Sequence, residues 1–275
     1  MPGIDHPVFL RLRAAASTGP IVVAHRGDSV HHAENTLAAF AAARALGVLM
    51  QEFDVRATRD GVLCCVHDAT FDRTTNAGGV LGPGVLVAQA DWHEARRLDA
   101  SRAPGRHGPQ PVPSLHEALA TMLPDCIPLL EHKAGAPRDY VAALQSAGAV
   151  EQVIVQSFDW DFVAEAGVMA PGLARAVLGP TPTQARLDAA AIAAARRLGA
   201  GMVHWHAVEL RSAEVAAAHA AGLLVCSYTT DDELSWRGGA VMGIDAMCTN
   251  DPGAMLAAAR AGLLTRPRSQ AARPG

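Results

Sequence analysis

From Ile21 onward the chain alternates short apolar runs with longer alanine-rich stretches whose apolar positions recur at helical spacing. The short runs are expected as strands near 21–25, 49–54, 127–132, 152–157, 173–178, 201–205, 223–228 and 244–248. The longer stretches are expected as helices near 36–46, 114–121, 138–147, 160–169, 184–198, 211–221, 231–237 and 252–262. Strands of continuous apolar character that alternate with helices belong to a parallel sheet covered on its faces. Eight of each predicts a closed α/β barrel, the (β/α)8 or TIM barrel, over 21–264, with 1–20 as an arm or edge helix. Asn35 is expected to N-cap the first helix, and Gly47 to follow its last turn.

The rhythm breaks over about 60–112. That stretch holds a further strand near 62–66, the Gly- and Pro-rich run Gly78 to Gly84, a short polar helix near 89–98 and a loop from Ser101 to Gln110. So long an excursion between a barrel strand and its next helix predicts a small inserted subdomain at the carboxyl face of the barrel. Gly78-Gly79 reads as a turn rather than as a phosphate loop. The segment 265–275, polar and interrupted by Pro267 and Pro274, is expected to be a disordered tail with solvated arginines.

Composition narrows the function classes. A length of 275 residues suits one barrel, which typically needs about 250. The net charge of −4, with no basic cluster interleaved with aromatics, argues against nucleic acid as a partner. No stretch reaches the roughly 18 uninterrupted apolar residues of a membrane span, so stable membrane insertion is not expected. The cysteines number five, an odd count, and none has metal-ligand spacing, which speaks against a disulfide framework and for a reducing, cytoplasmic setting.

The chemistry gathers between Ile21 and Gly79. Glu52 and Asp54 lie two apart in a strand, so their carboxylates share a face and repel unless a cation sits between them. The run Ile21 to Ala24 ends at His25-Arg26-Gly27, and Val62 to Val66 ends at His67-Asp68. Two imidazoles, two carboxylates and a guanidinium leave short strands at the same kind of position, which asks for one shared site. His25-Arg26-Gly27, Glu34-Asn35-Thr36, Glu52-x-Asp54-Val55 with Asp60-Gly61, and His67-Asp68 with Arg73-Thr74-Thr75 follow one another in an order and spacing that resemble the glycerophosphodiester phosphodiesterase family. Val112-Pro113-Ser114-Leu115, Leu130-Glu131-His132-Lys133, Val155-Gln156-Ser157-Phe158 and Thr249-Asn250-Asp251-Pro252 extend the resemblance over nearly the whole chain.

The resemblance implies hydrolysis of a glycerophosphodiester to sn-glycerol 3-phosphate and an alcohol, with the insertion forming a cap beside the site. Barrels of this kind carry their active sites at the carboxyl ends of the strands. That places Glu52, Asp54 and Glu131 together as ligands of a hard divalent ion, Ca2+ or Mg2+, and His25 and His67 as a proton-transfer pair. Arg26 either pairs with Glu34 or meets a phosphate oxygen, and Lys133 either forms an interior ion pair or does the same. Asp68 is expected to fix its own loop. Phe158, His204, His206 and Tyr228 are candidates for the substrate pocket; His204-Trp205-His206 lacks a nearby third soft ligand for zinc.

Four departures fall around the chemistry rather than in it. Ala33 stands where proline is usual, His132 where an aliphatic residue is, Tyr228 where a tryptophan commonly lines the pocket, and Asn250-Asp251 where Asp-Arg is commoner. The alternative readings are a sphingomyelinase D-like or lysophospholipase D-like enzyme, which needs a greasy entrance, and a noncatalytic phosphodiester-binding protein. Binding alone needs no pair of histidines.

Overall fold

The apolar runs form β1 (Ile21–His25), β2 (Met50–Ala57), β4 (Ile127–Ala134), β5 (Ile154–Ser157), β6 (Ala174–Gly179), β7 (Met202–His206), β8 (Leu224–Tyr228) and β9 (Ala246–Thr249), with a short β3 (Leu63–Cys65) after β2. The computed structural model describes residues 4–101 and 108–266. The eight longer strands pair in parallel in the order β1-β2-β4-β5-β6-β7-β8-β9, and β9 returns to β1, which closes a (β/α)8 TIM barrel. β3 runs antiparallel to the carboxyl extension of β2, pairing Leu63 to Cys65 with Val55 to Ala57.

Alternation along each strand splits the core in two. One set of side chains, among them Val22, Phe53, Leu130, Val155, Val203, Val225 and Met247, packs outward against the helices. The other set, including Val23, Met50, Leu129, Ile154, Ala176, Met202, Leu224 and Ala246, fills the barrel interior. The helix Pro7–Ala15 closes the amino-terminal end of that interior through Val8, Phe9 and Leu12, which are buried among the inward-facing residues. Phe9 needs Gly201 there: a Cβ at that position would lie 2.3 Å from its ring.

Several boundaries differ from those expected. Thr36, not Asn35, caps the helix Leu37–Leu46, accepting from the Ala39 amide, while Asn35 takes the left-handed conformation (φ 57°) and turns its side chain to the site. The helix expected from 184 begins only at Ala189, after Asp188 as cap, because Thr181 and Gln184 close a turn behind Pro180. The helix expected to stop at 237 runs from Glu233 to Met242 through Gly238-Gly239. Gly239 lets that helix approach β9, since a Cβ would come within 2.4 Å of the Met247 sulfur. Gly78-Gly79 lies in a short helix, Ala77–Val80, and not in a turn.

The described part of the insertion has a core of its own, built on Cys64, Val66, Phe71, Val87, Leu98 and Val112. Arg266 is not solvated: it is buried against Asp245 (2.9 Å) and the Ile244 carbonyl (2.9 Å). The remainder of the expected tail, 267–275, lies outside the described residues.

Candidate active site

The strand residues that point inward below the mouth point inward at the mouth as well, but there they are polar. The register sets His25 beside Glu52 across β1 and β2, and Asp54 beside Glu131 across β2 and β4. One oxygen from each of Glu52, Asp54 and Glu131 lies within 4.8 Å of the others, and all three residues are buried. Among the described residues Glu52 Oε1 has no hydrogen-bond partner, and Lys133 alone reaches Asp54 Oδ1 (3.2 Å) and Glu131 Oε1. Three all-oxygen donors with an orphaned, buried lone pair fit a hard divalent cation.

Burial pushes Glu52 well above the usual carboxylate range, and the neighbouring Asp54 and Glu131 add to it. Burial and the Asp54 charge likewise lift Glu131 to about 7. Burial works to raise Asp54 too, but Lys133 and Arg26 prevail and hold it at about 2. If all three carboxylates are ionised, as they would be around a bound cation, they exceed the two innermost cations, Arg26 and Lys133, by one negative charge. A divalent ion would turn that into an excess of one positive charge, the complement of a phosphodiester monoanion.

Arg26 itself has left-handed backbone (φ 58°); it and Asn35 are the two such non-glycine residues among those described. Backbone strain of this kind collects at functional sites. Gly27 follows at φ 83°, where a Cβ would strike the Ala39 backbone at 2.6 Å. The turn aims the Arg26 guanidinium between Glu34 (2.7 Å) and Asp54 (3.1 Å), so the Glu34 pairing is present and Asp54 shares it. Asn35 clasps Asp54 twice, donating to Oδ2 (2.9 Å) and accepting from its amide (3.1 Å).

The two histidines are held differently. His25 Nδ1 lies 2.7 Å from Asn250 Oδ1, and Nε2 faces Glu52 at 3.8 Å. Asn250 cannot turn its amide, because Nδ2 donates to Asp231 Oδ2 (2.7 Å) and its backbone amide to Asp231 Oδ1 (2.7 Å). His25 is therefore the donor to Asn250, and its Nε2 carries the free lone pair. His67 Nδ1 instead meets a carboxylate, Asp68 Oδ1, at 2.6 Å, and Arg73 locks Asp68 and Glu34 into one network. Asp68 thus fixes its loop, as expected, and orients His67 as well. Burial lowers both imidazoles and Arg26 adds to it in each; Asn250 and Asp54 pull His25 part of the way back up, and Asp54 and Asp68 do the same for His67.

A cleft of about 220 Å³ opens over these groups, and His25, Arg26, Glu52, His67, Glu131 and Lys133 line one side of it. Phe158, Leu178, His204, Tyr228 and Thr229 line the rest. His206 packs edge-on to Tyr228 (5.4 Å) and is not among the lining residues. His132 faces away from the cleft, stacked on Phe162 at 3.5 Å, because it alternates with Glu131 and Lys133. Asn35 and the Asp231–Asn250 pair are the functional parts that sequence reasoning did not assign. Asn250 was visible only as a departure from the commoner aspartate.

The sequence profile of the Glycerophosphoryl diester phosphodiesterase family matches residues 25–254. A glycerophosphodiester phosphodiesterase of Caldanaerobacter subterraneus subsp. tengcongensis is 34% identical over 161 residues, 56% of this chain and 64% of the relative. One from Bacillus subtilis is 28% identical over 254 residues, covering 84% of each chain. An Oleispira antarctica phosphodiesterase, solved with the product sn-glycerol-3-phosphate, superimposes with a TM-score of 0.78 at 25% identity, over 88% of this chain and 97% of that one. A Silicibacter pomeroyi protein described as a glycerophosphoryl diester phosphodiesterase gives 0.80 at 26% identity, over 92% and 98%.

Proposed function

The chain belongs to the glycerophosphoryl diester phosphodiesterase family, and from that premise we propose that it hydrolyses glycerophosphodiesters to sn-glycerol 3-phosphate and an alcohol. The observation that carries this reading is the cleft itself, where two separately oriented imidazoles flank a buried triad of carboxylates. A phosphodiester-binding protein without catalysis needs neither the fixed tautomer of His25 nor the carboxylate behind His67.

The residues divide the work as follows. His25 Nε2 takes a proton from the attacking oxygen, which belongs to water or to the glycerol hydroxyl next to the phosphate; in the second case the product is a cyclic phosphate that water then opens to sn-glycerol 3-phosphate. His67 gives a proton to the departing alkoxide as its P–O bond breaks. This assignment rests on the partners: the carboxylate behind His67 stabilises an imidazolium more than the neutral amide behind His25 does. Arg26 and Lys133, both lining the cleft, are placed to meet phosphate oxygens. A divalent ion, Ca2+ or Mg2+, held by Glu52, Asp54 and Glu131 would supply positive charge against the phosphate. Lys133 would then exchange part of its present pairing with Asp54 and Glu131 for the substrate. Five buried free cysteines support a reducing, cytoplasmic setting. Among the described residues no helix is long and apolar enough to cross a membrane.

The test is product release from a panel of glycerophosphodiesters and lysophospholipids by the purified protein supplied with Ca2+ or Mg2+. Turnover of glycerophosphodiesters is expected. Turnover of lysophospholipids alone replaces the reading with the lysophospholipase D-like one, and turnover of neither removes it.

A further inference from the structure

Arg26 and Asn35, the two left-handed non-glycine residues among those described, touch each other: the Asn35 backbone amide donates to the Arg26 carbonyl (3.1 Å). Each also holds one of the clustered carboxylates by a single oxygen. The Arg26 backbone amide donates to Glu52 Oε2 (3.2 Å), and Asn35 Nδ2 donates to Asp54 Oδ2 (2.9 Å). The direction of the second bond is fixed. Asn35 Oδ1 accepts from the Asp54 backbone amide (3.1 Å), which can only donate, so Nδ2 is the atom left to face Oδ2. Capping does not account for Asn35, because Thr36 caps the helix that follows.

One oxygen of each carboxylate is left over. Among the described residues Glu52 Oε1, Asp54 Oδ1 and Glu131 Oε1 are buried without a hydrogen-bond partner. The two oxygens of Asp54 are therefore unequal. Oδ2 takes the Asn35 bond and lies 3.1 Å from the Arg26 guanidinium, whereas Oδ1 has only the Lys133 ammonium, at 3.2 Å. Turning Oδ2 toward an ion would break the Asn35 bond between two groups that are 3% and 1% exposed, and a buried amide left unpaired is unfavourable.

Resting on the metal site of the function proposed above, we propose that Asn35 is a positioning residue that commits Asp54 Oδ2, so that Asp54 meets the divalent ion through Oδ1 alone. Hydrogen-bond partners behind a ligand typically set metal affinity by about 10- to 100-fold. Ca2+ accepts a carboxylate through one oxygen or both, while Mg2+ demands a stricter arrangement, so the two ions should feel the loss of Asn35 differently.

The test is calorimetric titration of the chelator-stripped full chain with Mg2+ and with Ca2+, which needs no turnover. Asn35→Gly keeps the left-handed backbone and removes the clasp. Asn35→Asp also tolerates that backbone and keeps an acceptor for the Asp54 amide, but it has no donor for Oδ2. Asn35→Gly should weaken Mg2+ binding by on the order of 10- to 100-fold and Ca2+ binding less. Asn35→Asp should lower the Mg2+ to Ca2+ affinity ratio as well, because its added charge acts on both ions alike. A purely structural role would weaken the two ions equally. Wild-type Mg2+ affinity in Asn35→Gly, or equal losses for both ions, overturns the inference. Should Asn35→Gly fail to fold, the ratio in Asn35→Asp decides: a lower one upholds the inference and an unchanged one overturns it. A wild type that binds neither ion removes the metal site and this inference with it. Ion binding in the expected order without turnover of any glycerophosphodiester defeats the function reading and leaves the inference standing.

Discussion

The two ends of the barrel are built by the same strands and differ in almost everything else. At the amino end the inward positions are Ile21, Val23, Met50, Ile127, Ile154 and Met202, stoppered by Phe9. At the carboxyl end, two to four residues further along the same strands, they are His25, Glu52, Asp54, Glu131, Gln156 and His204. The floor is apolar and close-packed, whereas the mouth holds buried charges, unpaired polar atoms and the two left-handed non-glycine residues. Burying charge and strain is unfavourable, and the apolar floor supplies the stability that tolerates it. Function is concentrated at the end that contributes least to folding.

The largest separation of the two ends should come from the ion. Chelation is expected to abolish turnover while the far-ultraviolet circular dichroism of the barrel persists, and Ca2+ or Mg2+ should restore activity where Zn2+ does so poorly. Glu52→Gln keeps the shape of the ligand and removes its charge, so it should weaken metal affinity more than urea stability. Full activity in a demonstrably metal-free sample defeats this expectation.

Next come the histidines. His25→Ala and His67→Ala should each cost about 10²- to 10⁴-fold in kcat with a natural alcohol as leaving group. The wild-type pH profile should be bell-shaped, with the acidic limb set by His25 below 6.5, since burial lowers it, and each variant should erase one limb. With a nitrophenyl ester, whose leaving group departs without a proton, His67→Ala should cost little and His25→Ala as much as before. Equal losses on both substrates would show that the separate acid and base roles are wrong.

The floor supplies the converse. Phe9→Ala removes the largest side chain of the stopper and leaves a cavity against Gly201, so it should lower the unfolding free energy by about 3–5 kcal/mol in urea titrations. Activity per folded molecule should stay at the wild-type level. A large loss of kcat at full folding would mean that the two ends are mechanically coupled.

The same contrast explains what was legible in the sequence. The barrel strands and the residues ending them, His25, Glu52, Asp54 and Glu131, stand out because apolar runs rarely stop on charged or imidazole groups unless these are used. Asn35 was misread as a cap because N-cap chemistry and left-handed tolerance favour the same residue, and only the backbone decides between them. The helix expected to stop at 237 continues through Gly238-Gly239, where the close approach to Met247 that favours glycine is a tertiary contact. Arg266 and Asp245 are brought together by the fold-back of the chain after the last helix, and His25 and Asn250 by barrel closure, neither of which a local pattern encodes.

The smallest expected effect tests that last pair. Asn250 Oδ1 accepts from His25 Nδ1 and, at 3.1 Å, from the Ser29 hydroxyl, while Asp231 holds the amide from behind. Asn250→Ala leaves the buried Nδ1–H without its partner, so the ring loses the preference for the tautomer that keeps Nε2 open toward the cleft. A neutral hydrogen bond contributes about 0.5–1.5 kcal/mol, which sets the expected loss at up to about tenfold in kcat, with KM little changed. Asn250→Asp tests the charge instead of the geometry. A carboxylate against Nδ1 stabilises the imidazolium, so the acidic limb of the pH profile should move to higher pH and the base should be lost at a pH where the wild type still works. The pair of variants thus predicts a lower plateau for one and a displaced limb for the other. If both leave plateau and limb where they were, the asymmetry between the amide behind His25 and the carboxylate behind His67 does not assign their roles.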